Sequence, residues 1–172
     1  MDSLGRACVS VLFSLALIFT TAAASENAYN NKGLSFKYDS AWNVSEDHNE
    51  LGDTSYTLIT VDSPGSAFVS IAVYNRDMGL DKTVDEFRDG LKQNFEAFGS
   101  VTVEPYSAGF AGSEFKGYRL TVKALGIPHT NHVVGALFNE RTMVISWQYA
   151  DEDFEQFGPA IELIKTTLQV SK

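Results

Sequence analysis

Apolar residues along this chain fall into two periods. From Thr83 onward, Val84, Phe87, Leu91, Phe95 and Phe98 recur three or four positions apart, which predicts one apolar stripe on an amphipathic helix. Thr83-Val84-Asp85-Glu86 fits a capping box at its start, and Gly99 fits a stop. A second helical stripe, Phe154, Phe157, Ile161, Ile164 and Leu168, follows the acidic Asp151-Glu152-Asp153, which suits the positive end of a helix dipole. Pro159 predicts a break there, or a helix starting close to it.

Elsewhere the period is two. Leu34 to Tyr38 reads as a first strand, with Trp42 to Ser45 continuing it after a turn. Ser55 to Asp62 and Ala67 to Tyr74 flank Ser63-Pro64-Gly65-Ser66 and predict a hairpin. After the first helix come a short strand over Ser100 to Glu104 and longer ones over Lys116 to Leu125, His132 to Phe138 and Thr142 to Tyr149. Tyr118, Leu120 and Val122 share a face, as do Met143, Ile145, Trp147 and Tyr149. Asn27 to Lys32 reads as a polar lead-in, and Ser45 to Asp53 as an acidic loop. The order is mostly strands, helix, meander, helix. That is α+β: an antiparallel β-sheet covered by amphipathic helices.

The first 24 residues change the picture. Arg6, the apolar run Val9 to Phe19 and Ala22-Ala23-Ala24 predict a secretory signal peptide cleaved after Ala24. The run is too short to span a bilayer comfortably. Residues 25–172 are then a single domain, large enough to bury roughly 68–70% of its unfolded surface. The sole cysteine, Cys8, precedes the apolar run, so neither lipid attachment nor a disulfide in the mature chain is expected. Cysteine-free secretion favours a periplasmic location over an animal extracellular one, and the expected localisation is periplasmic or secreted. The formal net charge is −9, with no compensating basic cluster, which argues against nucleic acid as a partner.

Candidate chemistry is sparse. His129 and His132 are weak metal candidates, because residues three apart on a strand face opposite ways and no further ligand is near in sequence. Asp47, Asn49 and Gly52 echo a calcium loop, but Leu58 stands where the bidentate glutamate belongs. No phosphate-binding glycine loop and no GxSxG elbow occurs. No metal, cofactor or enzymatic activity is expected. Phe110 and Phe115 lie in a glycine-rich stretch between strands, Gly109 to Gly117, that neither period claims. They are candidate partner-binding anchors; alternatively they tuck under their own hairpin.

Gly33-Leu34-Ser35-Phe36-Lys37-Tyr38-Asp39-Ser40-Ala41-Trp42 resembles the opening of PsbP-like domains, with Asp39-Ser40 where a proline is usual. The helix from Thr83, Gly117-Tyr118-Arg119-Leu120, and Trp147 followed by Phe154, Ile161 and Ile164 fall in the order of that family. The likeness spans most of residues 33 to 169. It implies an αβα sandwich. It also implies a group of mostly non-catalytic binding modules, including an extrinsic photosystem II subunit, a Ran-binding import factor and bacterial envelope proteins of the DcrB type. The expected function is a non-catalytic exported accessory module serving an envelope or membrane-associated complex through a protein partner. The alternatives are a carrier of a small apolar ligand between sheet and helix, or an uncharacterised hydrolase.

Overall fold

The alternating segments pair into two antiparallel sheets in the computed structural model, which describes residues 25–110, 112–124 and 126–171. The expected signal peptide and its cleavage site lie outside the described residues. A small sheet contains β1 (Glu26–Asn31), β2 (Leu34–Asp39) and β10 (Gln169–Val170), in the order β1-β2-β10. A seven-stranded sheet contains β3 (Asn43–Leu51), β4 (Thr54–Asp62), β5 (Phe68–Tyr74), β6 (Val101–Phe110), β7 (Ser113–Ala124), β8 (Ile127–Phe138) and β9 (Arg141–Ala150). Its order is β3-β4-β5-β9-β8-β7-β6. Helix α1 (Leu80–Glu96) covers one face of the β6–β9 half. Helix α2 (Phe154–Thr167) lies on the other face, together with the small sheet. The molecule is therefore an α+β sandwich, as the pattern predicts.

Register separates the two cores. Val69 pairs with Trp147 and Ile71 with Ile145, so one face of β5 and β9 turns toward α2 and the small sheet. Ile59, Val61, Phe36, Trp42, Phe157, Ile161 and Ile164 complete that core. The opposite face gives a smaller cluster of Leu120, Val133 and Val144 under Val84 of α1. Each fully buried aliphatic side chain contributes about 1.5–3 kcal/mol. Close approach of α1 needs Gly135: a Cβ there would sit 2.6 Å from Val84 Cγ2 and 2.8 Å from Leu80 Cδ1.

Several expectations are corrected. The polar lead-in is strand β1, paired with β2 from Glu26↔Asp39 to Asn31↔Leu34. The acidic loop is β3, an edge strand whose inward row carries Glu46 and His48, which makes it read as polar throughout. Charge on an edge strand discourages pairing with another chain. Trp42 thus leads into the large sheet and does not extend the first strand. The calcium-loop spacing lies largely along this strand, where side chains alternate faces.

Helix α1 starts three residues before Thr83. Gly79 caps it at φ 78°, and the Thr83 hydroxyl donates to the Gly79 carbonyl at 3.0 Å, so no capping box forms. Its start is tied to β9 instead: Met78 N donates to Thr142 Oγ1 at 2.9 Å, and Thr142 Oγ1 to Asp77 Oδ1 at 3.2 Å. The helix ends at Glu96, leaving Phe98 exposed, and Gly99 serves close packing, since a Cβ would lie 2.9 Å from the Lys123 carbonyl. Pro159 sits inside α2 without ending it. It deprives the Glu155 carbonyl of its usual donor, but both residues are exposed and water substitutes.

Candidate functional site

The short strand expected over Ser100 to Glu104 is ten residues long, and the glycine-rich stretch after it is the tip of the β6–β7 hairpin. Phe110 pairs with Ser113 and Ala108 with Phe115, which turns both phenylalanine rings inward. Phe110 is 1% exposed and Phe115 fully buried. Their rings meet edge-on at 5.1 Å, and Phe110 meets Trp147 at 5.6 Å. They are core, so the surface anchor expected of them is corrected. Gly109 and Gly112 occupy exposed positions of the same hairpin. Glycine there suggests a loop although alternation persists underneath in Tyr106, Ala108 and Phe110.

His129 and His132 both lie on β8, three residues apart and on opposite faces. His132 is buried, stacked on Trp147 at 4.4 Å and packed against Tyr106 at 4.5 Å. Its Nδ1 has no hydrogen-bond partner among the described residues. Burial first, then the charges of Arg119 and Lys165, push its pKa down to about 4. Lys165 lies over Trp147 at 5.7 Å and pairs with Glu162. This histidine is a neutral aromatic plate in the core.

One concave feature, smaller than a shallow hollow of about 630 Å³ beside α1, lies where the small sheet roofs β3, β4 and β5. This cleft of about 450 Å³ has Leu34, Ile59 and Val73 at its base, and Tyr29, Tyr56 and Tyr74 also line it. Lys32, Glu50 and Arg141 bring charge to it, and His48 also lines it. A narrower space of about 40 Å³ adjoins it, sharing Lys32, Leu34, Val73 and Arg141.

Glu46 anchors the roof. It accepts from the Tyr29 hydroxyl at 2.6 Å and from Asn31 Nδ2 at 2.8 Å. Lys32 Nζ lies 3.4 Å and His48 Nε2 3.3 Å from its other oxygen. The Tyr29 hydrogen bond, then the one from Asn31, hold the Glu46 carboxyl below the usual range. Burial and the same carboxylate push the Tyr29 phenol up. Lys32 Nζ is also 2.7 Å from His48 Nε2, and His48 Nδ1 lies 3.1 Å from Thr57 Oγ1.

Thr57, His48 and Glu46 thus form a line resembling a nucleophile, base and orienting acid. Lys32 intrudes on this line: its Nζ lies 2.7 Å from the same Nε2 that faces Glu46, so Glu46 does not orient the ring alone. Among the described residues, no three His, Cys, Asp or Glu side chains gather as a metal site, and no helix is long and apolar enough to cross a membrane.

The cleft is not legible in the sequence because it draws on β1, β2, β3, β4, β5 and β9. The one local signal was Glu46 and His48 at strand spacing within an apparently polar loop.

No protein-family model matches the chain, and no curated protein does. Among solved structures, it is similar to cyanobacterial PsbP (CyanoP) from Synechocystis, with a TM-score of 0.56 and 10% identity over 91% of this chain and 98% of that one. LpqN of Mycobacterium tuberculosis, described as involved in cell envelope biogenesis, gives a TM-score of 0.49 and 12% identity over 86% and 91% of the two chains. At such identity the first likeness is one of architecture, and it agrees with the opening motif and the order of elements: the chain has the PsbP-like fold.

Proposed function

We propose that this protein is a non-catalytic, exported binding module that serves an envelope or membrane-associated complex. The observation that carries the reading is how three carboxylates are used. Glu46 accepts from Tyr29 and Asn31, Asp85 from Tyr118 and Arg88, and Asp151 from Thr130. Each ties two elements together. Export rests on residues 1–24, and the likeness of fold to cyanobacterial PsbP supports an accessory module. The carrier reading has a different address from the one expected. The phenylalanines beneath α2 pack against one another, so a ligand belongs between the two sheets.

The test is crosslinking of the exported chain in its native envelope, with partners read by mass spectrometry and confirmed by reciprocal capture. A defined partner protein is expected. Hydrolytic turnover of an ester or peptide library that disappears in His48→Ala would overturn the non-catalytic reading.

A further inference from the structure

We infer that the cleft between the sheets binds a small amphiphile with a single acidic head, its apolar body on the half-buried Tyr29, Tyr56 and Val73 over the core floor of Leu34 and Ile59, and its head on Arg141. The inference rests on reading the chain as a binding module and names what its cleft accepts.

Charge selects the head. Arg141 lines both the cleft and the narrow space beside it, is exposed, and has no ion-pair or hydrogen-bond partner among the described residues. The chain as a whole carries −9, so an unpaired guanidinium beside an apolar floor stands out. A guanidinium presents a planar fork that matches an acidic oxygen pair. Lys32 adds a second cation at the cleft mouth, paired on one side with Glu46 Oε1 at 3.4 Å. Glu50 on the same lining repels a second negative charge, which favours one acidic group over a dianion.

Backbone geometry makes an independent case. Lys32 has φ 49° and Gly33 φ 82°, the paired left-handed residues of a tight hairpin turn. Glycine or asparagine is the ordinary occupant of the first position; lysine there carries strain. Left-handed non-glycine residues concentrate at ligand sites. The strained conformation places the ammonium above His48 at the cleft mouth. Arg141 directly follows a second such turn, Asn139 at φ 49° and Glu140 at φ 62°. Both cations of the cleft are therefore delivered by left-handed turns. The cleft falls within the size range of small-molecule sites.

The experiment is a ¹⁵N NMR titration of the purified folded chain with decanoate, with 1-octanol and acetate as body-only and head-only probes. Saturable shifts confined to residues around Lys32, Leu34, His48, Val73 and Arg141 are expected with decanoate. Octanol should bind more weakly, and acetate should not saturate. Arg141→Gln should weaken decanoate about tenfold, the value of one charge-assisted contact. Lys32→Gly relieves the strained turn, so it should melt no earlier than the parent while binding decanoate less well. Absence of saturable shifts, shifts centred elsewhere, or undiminished binding by Arg141→Gln would each overturn the inference. Octanol binding as well as decanoate would overturn the acidic head. Failure here leaves the crosslinking result untouched, so the two readings fall separately.

Discussion

The two halves of the large sheet are closed by different means. Over β6 to β9, helices lie on both faces, and the α2 side is an aromatic interior in which Phe115, Phe110, Trp147 and His132 touch in that order. Over β3 to β5, the small sheet replaces the helix, and contact is made partly through a carboxylate, Glu46, and the groups that donate to it. Helix packing lets long apolar side chains interdigitate to crystal-like density. The three-stranded small sheet laid across the large one leaves a cleft, spanned on one side by the hydrogen bonds to Glu46. The closed half holds most of the aromatic core, and the open half is where the proposed amphiphile would sit.

The largest expected effects test the closed half. Phe115→Ala and Phe110→Ala should each destabilise the fold by about 3–5 kcal/mol in urea unfolding, as should Trp147→Ala. A loss under about 1 kcal/mol at either phenylalanine would mean that its ring is not core.

Acid tests the same interior. The His132 pKa is lower folded, about 4, than unfolded, about 6.5. The unfolded chain therefore binds the extra proton first as pH falls. The stability that depends on a neutral ring is fully present above pH 6.5 and is lost as pH falls through about 4. The whole shift corresponds to about 3 kcal/mol. Carboxyls held low, such as Glu46, also lose stability on acidification, so the measurement is the difference between parent and His132→Leu across that window. Parallel pH profiles would show that His132 is not the group responsible.

The open half should respond more mildly. Tyr29→Phe removes a hydrogen bond to a carboxylate and should cost about 1.5 kcal/mol, with the exchange of β1 amides rising before that of β8. Equal acceleration throughout would join the halves into one cooperative unit. Smallest of all, Lys32→Gly should change stability by no more than about 1 kcal/mol, since relief of the turn offsets a lost exposed ion pair. A larger loss would assign Lys32 a role in holding the roof.

The closed half was largely legible in the sequence and the open half was not. Val84, Phe87 and Leu91 announce α1, and Met143, Ile145 and Trp147 announce a face of β9, because each element buries one continuous apolar stripe. Phe110 and Phe115 look like loop residues because glycine at exposed strand positions imitates a loop, although Tyr106, Ala108 and Phe110 alternate beneath it. Strand β3 was misread for a different reason. Its inward positions hold Glu46 and His48, whose partners Tyr29 and Lys32 come from another sheet. No window of neighbouring residues contains that pairing. The same holds for Arg141, whose meaning depends on Leu34 and Val73 brought beside it by the fold.

Strand β10 gives the arrangement a kinetic consequence. Gln169 pairs with Ser35 and Val170 with Leu34, and Ser171 N donates to the Gly33 carbonyl at 2.7 Å. The roof is thus latched by residues more than a hundred positions away along the chain, a closure with a large entropic toll and little local reward until α2 is seated. The β4–β5 and β6–β7 hairpins close short loops and have no such dependence. The β10–β2 pairing is accordingly expected to close only once α2 is seated, whereas the β1–β2 hairpin closes locally, so the latch and the hairpin it holds belong to different stages of folding.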